Sequence, residues 1–225
     1  MFQSSKKLIL NIILLFCFHH SDSQEIFHDF EIGKKVKGKK VITTFDFNWK
    51  KEYRDENWNR IGLNVSILKA LKNNWNLFAG IENYYTIDSK STNSFEIRPW
   101  AMLNLKSKIS NKLYFSQFLK TEWRNFYNAE SMSFQNYNRL RYRFHFDWTV
   151  HSDINTISLK PGVEWYVLKN NFTGERYANS REIYLRCTIE KNQKEWNFGI
   201  KQESFLVNTQ PNAEKANTLF LEYKF

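Results

Sequence analysis

Three arginines recur two residues apart, Arg139, Arg141 and Arg143, and Lys120, Glu122 and Arg124 repeat that spacing upstream. With Glu164 they are the side chains best suited to chemistry, because guanidinium forks and carboxylates at matched spacing hold anions or hold one another. A ring of such groups around a pore biases ion passage. The same groups packed into a narrow interior form a salt-bridge network, since an unpaired buried charge is costly. The residue types favour the structural network, with a selectivity ring or anion site as the alternative.

Other chemistry finds less support. His151, Ser152 and Asp153 are the residue types of a hydrolytic triad, but adjacent residues do not make one, because a triad is a spatial arrangement. A lipid-modifying enzyme using Ser and His near a membrane interface stays open as an alternative, with His145 on a polar strand face. His28, His145 and His151 lack the ligand spacing of a zinc site, so no metal, and no other cofactor, is expected. Cys187 alternates with Ile183, Leu185 and Ile189 and reads as a small buried hydrophobe.

The elements that must position these groups are strands. Between Asn138 and Thr149, Leu140, Tyr142, Phe144, Phe146 and Trp148 fall on one face, and Arg139, Arg141, Arg143, His145 and Asp147 on the other. A helix would mix these residues around its circumference, whereas a strand separates them. The same alternation marks Val41–Lys50, Arg60–Leu68, Trp75–Tyr85, Phe95–Leu105, Leu113–Trp123, Ile157–Val167, Ile183–Ile189, Trp196–Phe205 and Thr218–Phe225. The count is about ten amphipathic strands, an even number, each long enough to cross a bilayer when tilted. Short gaps alternate loosely with longer, Asn- and Ser-rich ones, as in outer-membrane barrels. With 7 Gly and 3 Pro in 225 residues, turns must rely on Asn, Asp, Ser and Lys.

Residues 1–23 read as a cleaved signal peptide: Lys6 and Lys7, an apolar run from Leu8 to Phe18, and small Ser21 and Ser23 before cleavage at Ser23–Gln24. A lipoprotein reading would use Cys17, which Phe16 disfavours by standing where a small residue belongs. Loss of Cys17 leaves Cys187 alone, so no intramolecular disulfide is expected. Residues 24–40, Lys-rich and punctuated by Gly33 and Gly38, read as a periplasmic N-terminal segment, and residues 41–225 as the barrel. A mean hydropathy of -0.61 excludes a bundle of spanning helices. The net charge of +10 is spread over alternating strand positions, which with export argues against nucleic acid and for anionic headgroups or an acidic ligand.

Alternation is also compatible with a soluble periplasmic lipid-binding barrel, its apolar face turned inward. Three features favour the inverse. The polar face carries dense charge of both signs. Trp and Tyr recur near strand ends (Trp49, Trp75, Tyr85, Trp148, Trp196), where interfacial girdles sit. The chain closes on alternating apolar residues with Tyr223 and a terminal Phe225, which resembles the C-terminal signal read by barrel assembly machinery.

The segment from Asn138 to Arg143, with Lys120–Arg124 and Arg98-Pro99-Trp100, resembles the DUF2490 family of outer-membrane-like barrels of Bacteroidetes and relatives, with Lys120 where that pattern carries Arg. The resemblance spans most of the mature chain. It implies an up-and-down antiparallel transmembrane β-barrel in the envelope and no activity. The expected role is a structural or interaction barrel with a charged, side-chain-filled lumen, in contact with outer-membrane lipid. A narrow anion-preferring channel is the first alternative.

Overall fold

A computed structural model describes residues 25–53, 58–88, 93–128, 130–168, 180–205 and 214–225. The expected leader, its expected cleavage point and Cys17 lie outside the described residues. The described residues form eleven strands: β1 (Glu25–Lys37), β2 (Ile42–Glu52), β3 (Asn59–Ala70), β4 (Trp75–Ile87), β5 (Ser94–Ser110), β6 (Leu113–Asn128), β7 (Phe134–Ser152), β8 (Thr156–Leu168), β9 (Ser180–Lys191), β10 (Lys194–Phe205) and β11 (Glu214–Lys224). They close into one barrel in chain order, with β1 sealing against β11.

Two expectations change here. Ten strands become eleven, and residues 24–40 are not a segment outside the barrel, since β1 is part of its wall. Ile26, His28, Phe30, Ile32 and Val36 alternate with Phe27, Asp29, Glu31 and Lys35, but Gly33 and the run of lysines blur that pattern in the sequence. An odd number of strands joined by hairpins brings the first and last strands together in the same direction. The β1–β11 pair is accordingly parallel, with Phe27 opposite Thr218 and Ile32 opposite Tyr223, and the other neighbours are antiparallel. The main chain completes the seam: Lys35 N donates to Phe225 O at 2.8 Å, and Phe225 N to Gly33 O at 3.0 Å.

The two ends of the barrel differ. At one end β3–β4 and β9–β10 turn through Asn73-Asn74 (φ 57° and 63°) and Asn192-Gln193 (φ 49° and 67°). Positive φ at both central residues gives the tight hairpin whose twist matches its strands, and Asn tolerates that region best. The C-terminus lies at this short-turn end. The strand ends that the longer connections join (53–58, 88–93, 129–133, 169–179 and 206–213 in the sequence) lie at the other, with the start of β1.

The side chains are arranged inside out relative to a soluble domain. On β7, Tyr137 (4% exposed) and Arg139 (6%) point inward while Leu140 (44%) and Trp148 (42%) point outward. The apolar cluster of buried residues is small: Phe27, Trp58 and Ala216, at the long-loop end. Phe27 and Trp58 meet edge to face there, 5.2 Å between centroids. Most of the remaining buried side chains are polar or charged.

Candidate functional site

All seven side chains of the predicted cluster face the lumen, and β6, β7 and β8 bring them together. Cross-strand register does this: Lys120 lies opposite Arg141, Glu122 opposite Arg139, and Arg143 opposite Glu164. Glu122 is fully buried at the centre. It accepts from Arg139 Nε at 2.5 Å and from Arg141 Nη1 at 2.9 Å. It also pairs with Lys120 Nζ at 2.9 Å and lies 3.9 Å from Arg98 Nη1. Arg141 continues the chain through Nε to Glu164.

Sequence reasoning left three members out of this cluster. Glu96 accepts two guanidinium forks, from Arg98 (2.7 and 2.8 Å) and from Arg124 (2.5 and 2.9 Å). Glu82 accepts from Arg98 Nη1 at 3.0 Å and from Lys120 Nζ at 2.9 Å. Glu82 and Arg98 are direct partners across β4 and β5, so the missing signal was register, since face parity already put them in the lumen. Aromatic rings pack against the cations. Arg98 stacks on Tyr84 (4.7 Å), Arg124 on Phe126 (4.7 Å) and Arg141 on Tyr166 (4.6 Å). Arg124 also donates to the Tyr137 hydroxyl. Charges this well satisfied hold a wall together and leave few donors for a ligand.

Arg143 is the exception. Its nearest acid, Glu164, is 3.9 Å away and already held by Arg141, and its buried Nε has no hydrogen-bond partner. It lies over the Phe118 ring at 4.4 Å. Described residues line two lumen cavities, about 330 Å³ toward the long-loop end and about 420 Å³ toward the short-turn end. Glu31, Glu82, Arg141, Arg143 and Glu164 line both, so they form the waist between them.

The other candidate residues do not converge. His28 faces outward against Trp49 and Tyr53. His145 shares a 3.0 Å hydrogen bond with the Tyr184 hydroxyl inside the lumen. His151 sits at the β7–β8 turn, 3.5 Å from Asp153. Among the described residues no group of three His, Cys, Asp or Glu could hold a metal ion. Cys187 is half-buried and free, and its register partners Leu159 and Phe198 share its face. Tyr223 stacks on Trp196 (4.0 Å) and on Phe225 (5.7 Å) at the outer rim.

No protein-family model matches the chain, and no curated protein matches it by sequence. Among solved structures, the chain is similar to the NanC porin in a rhombohedral crystal form. The TM-score is 0.47 at 12% identity, over 86% of this chain and 95% of that one. The barrel assignment stands on the closed strand ladder itself.

Proposed function

We propose that this chain is an outer-membrane β-barrel, exported through a cleaved leader, that serves as a structural or interaction barrel with an ion-paired lumen. The observation that carries the reading is the outer surface. Leu63 (60% exposed), Val65, Ile67, Ile81, Leu103, Leu119, Ile183 and Leu219 form an aliphatic belt. Rings flank the belt at both ends: Trp49, Tyr85, Phe95 and Tyr127 toward the long loops, Trp75, Trp148, Trp196 and Tyr223 toward the short turns. Water would not tolerate so continuous an apolar surface, while a bilayer demands it, with aromatic residues at the headgroups. Closure agrees, because an unpaired strand edge in hydrocarbon costs several kcal/mol per backbone group.

Resemblance to the DUF2490 family, contact with outer-membrane lipid and delivery by barrel assembly machinery through Tyr223 and Phe225 belong to the same proposal. A narrow anion-preferring passage is the second reading, favoured among the waist residues by Arg143 alone, whose Nε has no hydrogen-bond partner, and opposed by Glu31, Glu82 and Glu164 beside it. Planar-bilayer conductance tests it. The main reading is tested by fractionation and gel migration with and without boiling. A membrane barrel stays in the outer-membrane fraction and changes mobility on heating. A mature chain that stays monomeric in detergent-free buffer would refute it.

A further inference from the structure

The short-turn cavity differs from the rest of the lumen in carrying an apolar patch. Leu68, Phe78 and Met102 are consecutive cross-strand partners on β3, β4 and β5, at inward positions. Trp100 extends the patch. Its indole packs against Gly80, where an added Cβ would come within 2.8 Å of it. The patch lines a cavity of about 420 Å³ whose lining runs to the strand ends at Lys35, Ile42 and Lys224. Arg143 lines the same cavity, whose five acids are each held by another cation.

Holding the barrel shut explains only part of this chamber: Lys120 Nζ lies 4.4 Å over the Trp100 ring and Arg143 lies over Phe118, while Phe78 and Met102 stay half-buried and open to the cavity. A row of apolar side chains facing a polar lumen loses the burial that would stabilise it. The buried Arg143 Nε lacks a hydrogen-bond partner, although buried donors are nearly always paired. A molecule with an apolar body and an anionic end resolves both. It covers the Phe78–Met102–Trp100 patch and accepts from the spare donors of Arg143, which its loosely placed Glu164 leaves available. We propose that the short-turn chamber binds a small amphipathic carboxylate, its apolar body on Phe78, Met102 and Trp100 and its carboxylate on Arg143. The inference goes beyond the barrel's role in the envelope and concerns the lumen alone.

The test is calorimetric titration of the purified chain in lipid nanodiscs with 3-phenylpropionate, acetate and 3-phenylpropan-1-ol. The expected result is saturable binding of 3-phenylpropionate, with acetate and the alcohol each weaker by about tenfold or more. Arg143→Gln should weaken 3-phenylpropionate about tenfold and leave the alcohol unchanged. Met102→Asn should weaken both phenyl compounds and spare acetate. If Arg143→Gln yields no folded barrel, the Met102→Asn comparison decides alone. Absence of saturable binding, acetate binding as tightly as 3-phenylpropionate, or a phenyl preference untouched by Met102→Asn would overturn the proposal. Should the chain prove soluble, the same titration runs in buffer, so loss of the membrane reading and loss of this site are separate results.

Discussion

In the wall from β4 to β8, Glu122 is fully buried and has Arg98, Lys120, Arg139 and Arg141 within 3.9 Å. In the seam where β1 meets β11, Lys224 spans Glu31 at 3.1 Å and Asp46 at 3.6 Å; Lys224 and Glu31 are less tightly enclosed, and Asp46 is buried. Lys201 reaches Asp29 and Glu182 only at 3.7 and 3.8 Å. The same residue types thus do different things. In the wall, planar forks meet carboxylates two at a time and rings pack against the guanidiniums, so removing one acid strands several cations. In the seam, lysines act as point charges between acids, and parallel main-chain bonding with close steric fit closes the barrel.

Glu122→Gln should therefore have the largest effect. It removes the acid shared by the wall's cations without changing shape, and breaking such a buried pair costs about 3–5 kcal/mol. Urea unfolding in lipid vesicles should show that loss, or no heat-modifiable species at all. A midpoint within error of the parent would mean that the wall tolerates unpaired charge and that the contrast with the seam is false.

Gly199→Ala probes by shape the β9–β11 wall that adjoins the seam. An added Cβ would sit 2.0 Å from the Leu185 carbonyl oxygen and 2.8 Å from Phe220 Cζ. A backbone oxygen cannot swing aside, so β9, β10 or β11 must shift, at about 1–3 kcal/mol. The same unfolding assay measures it, and a neutral result would show that this side of the barrel is looser than the ladder implies.

The wall was legible in the sequence and the seam was not, for a physical reason. Alternation on β7 separates Arg139, Arg141 and Arg143 from Leu140, Tyr142 and Phe144 without reference to any other strand. Hairpin pairing then makes its neighbours local in the chain. That Glu96 collects both Arg98 and Arg124 needed register, which alternation does not contain. The apolar lumen patch needed it too, because Phe78 and Met102 look like isolated exceptions until β4 and β5 are aligned. The seam pairs residues at opposite ends of the chain in parallel, and nothing within β1 or β11 encodes that choice. Its alternation is further blurred by Gly33 and the neighbouring lysines.

Lys224→Gln should be milder than Glu122→Gln. The residue is 19% exposed at its side chain and its nearer acid, Glu31, is 24% exposed, so a loss of about 1 kcal/mol is expected. The difference between these two substitutions is the quantity that distinguishes the wall from the seam. If Lys224→Gln proved as costly, the seam would be ionic after all.

The smallest perturbation tests the seam's direction. Ile32 and Tyr223 are register partners across β1 and β11, and both point outward. In a Cys187→Ser background, Ile32→Cys with Tyr223→Cys should cross-link under mild oxidation, since partner positions in a ladder lie within disulfide reach. Phe27 with Tyr223 serves as the control: these positions are out of register and on opposite faces, so Phe27→Cys with Tyr223→Cys should stay uncross-linked. The parallel seam makes a definite pattern of pairs, because Phe30 and Leu221 should cross-link by the same route as Ile32 and Tyr223. Antiparallel pairing would invert that order along β1, so success at one pair would go with failure at the other. A barrel that folds and cross-links at neither pair would close without β1, and the odd strand would lose its place in the wall.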